Sequence, residues 1–263
     1  VRTSDGSNGV HIVAGGYGTR LREFMDDKGY EQSYPKHLLP TGKPNGETIL
    51  GRIVRQAMSA PTDAPPIIHA NEQNAPSIEG HPDIDPSAEV KVGNYPNCLL
   101  PILANLTQTR KRTFGCAGDF YADFSWDDMV TSHDAQPYPI TFMVGRTVEV
   151  DRGLTFDVSE NGKIERMKRV ERSNSDDLIN IGVYMFDPRE TVMDALEALA
   201  TKRQLDKASS IANHLIGEGL VGAYILPSTP YNVNTGETYA ALLEHTNKTS
   251  TVPICSLLTL SGE

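Results

Sequence analysis

The sequence predicts an α/β fold of three layers, a mainly parallel mixed sheet with helices on both faces, carrying a β-rich substrate subregion in its second half. Three observations predict it. Short apolar runs alternate with stretches of helical periodicity through the first half, the pattern of parallel strands joined by crossover helices. The middle third changes to closely spaced strand-like runs with an Asn-Gly turn between two of them. The 263 residues are 38% hydrophobic, enough for one large core or two small ones, and neither a repeat nor a low-complexity linker divides them. A single domain over 1–263 is expected.

Taken in order, residues 10–14 form a short buried strand that runs into glycines. Residues 48–60 read as a helix, because Ile49, Leu50, Ile53, Val54 and Ala57 fall on one face and Thr48 can cap its start. Residues 66–70 read as the next strand, and 99–107 as a helix with Pro101 in its first turn. Residues 113–117 form a strand ending at Gly118-Asp119. Strands follow at 140–144, 154–158 and 163–170, with Asn161-Gly162 turning between the last two, and at 179–186. Helices at 189–200 and 209–217, a strand at 221–226 and a helix at 237–245 close the pattern.

The formal net charge of -10 argues against DNA or RNA as the main partner, since phosphate backbones select clustered Lys and Arg. It leaves room for a small phosphorylated ligand in a locally positive pocket. No apolar run approaches the roughly 20 residues that cross a bilayer, and residues 1–9 lack a secretory signal. A soluble, cytoplasmic protein is expected. Cys98, Cys116 and Cys255 are too scattered for a disulfide framework or a zinc motif and read as reduced, buried thiols. Arg110-Lys111-Arg112 reads as a solvated loop. The histidines show no metalloprotease spacing, and no nucleophile elbow is present.

Chemistry concentrates in residues 14–21, Ala-Gly-Gly-Tyr-Gly-Thr-Arg-Leu. Glycines directly after a strand let the backbone turn sharply, and their N–H groups can cradle a phosphate. Arg20 adds a guanidinium that grips phosphate bidentately. No Gly-Lys-Ser/Thr follows, and Leu21 stands where a dinucleotide fingerprint has its third glycine. A second stretch, residues 35–40, holds Lys36 among prolines and leucines, so its ammonium can be aimed as a point charge.

Together, Gly-Gly-x-Gly-Thr-Arg-Leu at 15–21 and Pro-Lys-x-Leu-Leu-Pro at 35–40 resemble the opening signature of the sugar-phosphate nucleotidyltransferases, as one strand–loop–strand unit. Gly118-Asp119 looks like that family's Gly-Asp. Asn234-Thr235-Gly236 stands where the family has Asp-x-Gly-Thr, and Asn180 with Gly182 matches its Asn-x-Gly-x-Tyr-x-Phe strand. The resemblance spans about residues 10–245. It implies a Rossmann-like, GT-A-like fold and transfer of a nucleotidyl group from an NTP to a sugar 1-phosphate with release of pyrophosphate. Ala14, Gly15, Gly16, Gly18, Thr19 and Gly118 would bind nucleotide, and Arg20 and Lys36 would be catalytic. Asp119 and Asn234 would hold Mg2+, while Asn180 and Gly182 would meet the sugar.

Departures are plain. Glu23-Phe24-Met25 replaces the family's Pro-Leu-Thr, and the gap from Arg20 to Pro35 is long. The Glu-Lys-Pro motif, whose lysine grips the sugar phosphate, is missing; Lys168 or Arg169 would replace it. A Gly-Thr-Ala-Gly segment has no evident counterpart around residues 94–100. These leave two alternatives open, a cytidylyltransferase for a non-sugar phospho- or phosphono-acceptor and a non-catalytic nucleotide-binding protein. The expected partners are an NTP and a phosphorylated small molecule, without nucleic acid or membrane, and with a homo-oligomer left open. No C-terminal β-helix domain is expected.

Overall fold

The computed structural model describes residues 9–250, apart from 17, 32, 33, 96, 147–150, 173, 175 and 203; Cys255 falls outside them. The first apolar run is β1 (His11–Val13), followed by a short helix α1 (Arg22–Asp27) and a 3-10 turn (Lys36–Leu38). Then come α2 (Ile49–Met58), β2 (Ile67–Ala70), α3 (Ala75–Ile78), β3 (Glu89–Val92), α4 (Leu100–Thr109) and β4 (Thr113–Ala117). The two-residue strand β5 (Phe120–Tyr121) and α5 (Trp126–Asp134) lead to β6 (Ile140–Arg146), β7 (Asp151–Val158), β8 (Ile164–Arg172) and β9 (Leu178–Phe186). Helices α6 (Glu190–Thr201) and α7 (Ala208–Gly217), strands β10 (Val221–Ile225) and β11 (Tyr231–Asn232), and helix α8 (Gly236–Ser250) complete the order.

Local chemistry sets several boundaries. The Thr48 hydroxyl oxygen accepts the Gly51 N–H at 3.0 Å and caps α2, as the sequence predicts. Pro101 sits in the first turn of α4, where a missing N–H costs little. Gly162, at φ 81°, turns β7 into β8.

The main sheet runs β10–β6–β9–β4–β1–β2–β3, with β7 joined to β9 and β8 to β7. Along this path β9 alone runs antiparallel to its neighbours, and the other contacts are parallel. The expected α/β architecture is present. Strand alternation divides the apolar side chains between two cores. Ile181, Val183 and Met185 face α2, α5 and α8, among Ile49, Ile53, Trp126, Met129 and Leu242. Tyr184 and Phe186 face the opposite way, toward α4, α6 and α7, among Ile102, Leu106, Val192, Leu196 and Leu215. Each large side chain so buried contributes roughly 1.5–3 kcal/mol. Close approach of α4 depends on Gly115, because a Cβ there would stand 2.2 Å from Ile102 Cδ1.

Two expectations need revision. The motif-bearing stretch after β1 is strand, loop and helix, followed by a 3-10 turn, rather than strand–loop–strand. Arg112 is not a solvated loop residue. Its Nε donates to Asp187 Oδ1 at 2.7 Å and its Nη2 to Asp134 Oδ1 at 2.8 Å. Buried His133 places Nε2 3.1 Å from Asp187 Oδ2. Among the described residues, no helix is long and apolar enough to cross a membrane.

Burial alone would raise the Asp187 pKa, but His133 and Arg112 outweigh it and hold the carboxyl at about 2. A depressed carboxyl stabilises the fold fully above its unfolded value of about 3.9 and loses that contribution as the pH falls toward 2. Asp187→Asn should therefore cost about 2 kcal/mol at pH 7 and less at pH 3, measured by urea denaturation. An equal loss at both pH values would refute this account.

Candidate active site

The site forms where the parallel strands end. Val13 of β1 is paired with Ala117 of β4, so the glycine loop and Gly118-Asp119 leave the sheet side by side. Gly118 N–H donates to Val13 O at 2.9 Å and holds them together. Beneath the loop, Asn71 Nδ2 donates to Gly15 O at 2.7 Å. Asn74 Nδ2 reaches Ala14 O at 3.0 Å and Gly16 O at 3.2 Å. Holding the carbonyls leaves the amide groups of the loop for an anion in the cleft.

Lys36 rises from the 3-10 turn against this loop. Gly18, at φ 68°, lies on its aliphatic stem, where a Cβ would come 3.3 Å from Lys36 Cβ. The ammonium donates to Asp119 Oδ2 at 2.5 Å and to Asn234 Oδ1 at 2.9 Å. Lys36 is only 8% exposed, so these oxygens replace much of its hydration. Burial would raise the Asp119 pKa, but the Lys36 charge overcomes this, with Arg20 assisting, and the carboxyl stays below its ordinary range. His37, the next residue, is kept neutral by burial and then by the Lys36 charge, against the pull of Asp119, with its pKa down to about 3.

A small antiparallel ladder brings Asp119 and Asn234 together. Tyr231 pairs with Tyr121 and Asn232 with Phe120, and Val233 N–H donates to Asp119 O at 2.8 Å. Asn234 Nδ2 donates to Asn232 Oδ1, which turns its own carbonyl oxygen toward Lys36. Tyr239, in the first turns of α8, donates its hydroxyl to Pro40 O at 2.8 Å. Its ring also meets Phe24 of α1 edge-on, with centroids 5.6 Å apart. The Glu23-Phe24-Met25 departure therefore supplies the packing that ties α1 to α8.

These groups open onto a cleft of about 640 Å³ whose lining includes Gly15, Gly16, Arg20, Asp119 and Asn234. Its lining also includes Asn180 and Gly182, together with Asn94, Tyr95, Asn97 and Cys98, the stretch in which no family segment is evident. Asn180 Oδ1 accepts from Gly182 N at 2.9 Å, and its Nδ2 donates to Tyr184 OH at 3.0 Å. Burial pushes the Cys98 thiol up to about 11, which leaves it a poor nucleophile.

The structure thus brings Gly15, Gly16, Arg20, Asp119, Asn180, Gly182 and Asn234 to one cleft, with Lys36 bound to two of them. Ala14 is buried behind the loop, Gly118 supports it from below, and Gly18 and Thr19 stand beyond the lining. Lys168 and Arg169 do not line the cleft. Lys168 pairs with Asp157, its Nζ 2.7 Å from Oδ2. Arg169 lies opposite Leu154 in the β7–β8 ladder, on the strand face of a residue that does line the cleft. Sequence reasoning assigned no role to His37, Asn71 and Asn74. The Asn-x-x-Asn after β2 carries only a turn signal.

One carboxylate and one carboxamide oxygen converge on a single cationic point, a hard-oxygen donor set that fits magnesium, which keeps waters and substrate phosphates as its other ligands. Among the described residues, no group of three or more His, Cys, Asp or Glu could hold a metal ion.

Two solved structures share this architecture. One is a Bacillus anthracis protein named for glucose-1-phosphate thymidylyltransferase and crystallised with sucrose. It aligns at TM-score 0.70 and 16% identity over 91% of this chain and 95% of its own. The other is HddC from Yersinia pseudotuberculosis, at TM-score 0.63 and 18% identity over 90% of this chain and 99% of its own. At such identities the likeness establishes the fold. No family model and no curated protein sequence matches the chain.

The left-handed backbone at Gly18 and its contact with the Lys36 stem make a direct prediction. Gly18→Val should destabilise the protein by about 2 kcal/mol and shift the Lys36 side chain, as read by thermal melting and a crystal structure of the variant. An unchanged melting temperature would show that the loop relaxes without strain.

Proposed function

We propose that this chain is a nucleotidyltransferase that joins an NTP to a sugar 1-phosphate, giving a nucleoside diphosphate sugar and pyrophosphate. The observation that carries the reading is the convergence of Lys36, Asp119 and Asn234 beside a glycine loop and Arg20, in a cleft also lined by Asn180 and Gly182. The fold shared with the two solved structures supports it.

The reaction is an in-line displacement at the α-phosphate. An acceptor phosphate oxygen forms the new P–O bond, and the bond to the bridging oxygen of the leaving pyrophosphate breaks. No covalent enzyme intermediate is needed, so catalysis is positioning and charge stabilisation. The amide groups of Gly15 and Gly16 seat the triphosphate, and Arg20 steadies the departing pyrophosphate. Lys36 neutralises charge at the α-phosphate, while Asn180 and Gly182 orient the sugar. Asp119 and Asn234 would hold magnesium, which would supply Lewis-acid charge at the phosphates. Of the two candidate cations for the acceptor phosphate, Arg169 is favoured, because Lys168 is engaged by Asp157 and Arg169 shares the strand face of Leu154.

The test is magnesium-dependent pyrophosphate release from each common NTP against a panel of sugar 1-phosphates. Lys36→Ala and Asp119→Ala should each lower turnover by about 100-fold or more, with melting curves showing that both variants remain folded. Near-normal turnover in folded Asp119→Ala would end the assignment of that carboxylate as a metal ligand.

A further inference from the structure

His37 is 1% exposed, yet its ring lines the cleft. The Nε2 atom lies 3.9 Å from the point where a side chain on Gly16 would begin, and Lys36 Nζ lies 3.8 Å from that same point. Two nitrogen groups therefore face one opening in the glycine loop, kept clear because residue 16 has no side chain. The other ring nitrogen, Nδ1, is buried without a hydrogen-bond partner among the described residues.

In a neutral imidazole one nitrogen donates and the other accepts. A proton on Nδ1 would bury an N–H with no acceptor, a costly arrangement. A proton on Nε2 instead points toward the cleft, where a ligand can receive it. Around that opening the Lys36 ammonium, the Arg20 guanidinium and the glycine amides are all donors, and the acceptor oxygens Asp119 Oδ2 and Asn234 Oδ1 are already taken by the Lys36 ammonium. A second cation beside Lys36 would be repelled, whereas a neutral N–H adds a directed donor without adding charge.

We propose that His37 donates its Nε2 hydrogen to a phosphate oxygen of the nucleoside triphosphate seated on Gly15 and Gly16, beside Lys36. This rests on the nucleotidyltransferase reading of the cleft. It gives the residue between Lys36 and Leu38 a function in gripping phosphate, beyond filling the core.

The experiment titrates the wild type, His37→Leu and His37→Gln with ATP, CTP, GTP, UTP and dTTP in magnesium buffer by calorimetry, with melting curves in parallel. At least one triphosphate should bind the wild type. His37→Leu should bind it roughly tenfold more weakly, the scale of a hydrogen bond to a charged group. His37→Gln, whose amide also donates, should recover part of the loss. Equal affinity in wild type and folded His37→Leu overturns the proposal while leaving the nucleotide site intact. A wild type that binds none of the five overturns the reading of the cleft, and the role of His37 with it. Should His37→Leu fail to fold, 15N-histidine spectra of the wild type decide the matter. The Nε2 resonance missing from the His37→Gln spectrum must move on adding triphosphate, and a stationary resonance overturns the proposal.

Discussion

Everything at this site depends on a lysine ammonium that has given up most of its water. Lys36 is nearly enclosed, and an unpaired charge in that position would cost several kcal/mol. Asp119 and Asn234 meet the cost with a short ion pair and a second hydrogen bond. Such pairs seldom add net stability, because the Coulomb gain mostly repays desolvation. Folding stability therefore gives little reason for their presence. The proposed nucleotidyl transfer would use a concentrated positive charge beside an ionised carboxylate, both held on stiff backbone.

The scaffold supplies that stiffness in layers. The Val13–Ala117 pairing fixes two loop origins, and the buried asparagines Asn71 and Asn74 hold the glycine loop by its carbonyls. The β5–β11 ladder fixes the distance between Asp119 and Asn234 through main-chain bonds rather than flexible side chains. Helix α8 then closes the arrangement through Tyr239, which touches both Phe24 and the Pro40 carbonyl. Preorganisation of this kind would leave little to be rearranged in the proposed transfer, where charge develops on a phosphate.

Much of this was legible in the sequence, for definable reasons. Long apolar strands and the Thr48-capped helix announce themselves, because burial on one or both faces leaves a period in the residues. Gly16, Lys36, Asp119 and Asn234 were legible as motif positions, although the sequence could not show that Lys36 would touch the last two. The ladder of β5 and β11 was not legible, since a two-residue strand has no period and its partner lies more than a hundred positions away. Asn71, Asn74 and His37 were missed for a related reason. Their significance lies in what they face, and a polar turn or a histidine among leucines has the same letters whether or not it borders a cleft. The engagement of Lys168 by Asp157 depends on strand register, which the sequence leaves open at a mostly polar hairpin.

The bond from Lys36 to Asn234 spans 198 positions of chain. Contacts of such separation form late, because the loop between them must close before they return any energy. During synthesis, the glycine loop and Lys36 emerge and can fold onto β1 and β2 long before α8 exists. A growing chain therefore holds the Lys36 ammonium before the Asn234 oxygen that meets it has been made. The cluster is complete only once β11 and α8 have folded against the elements made before them.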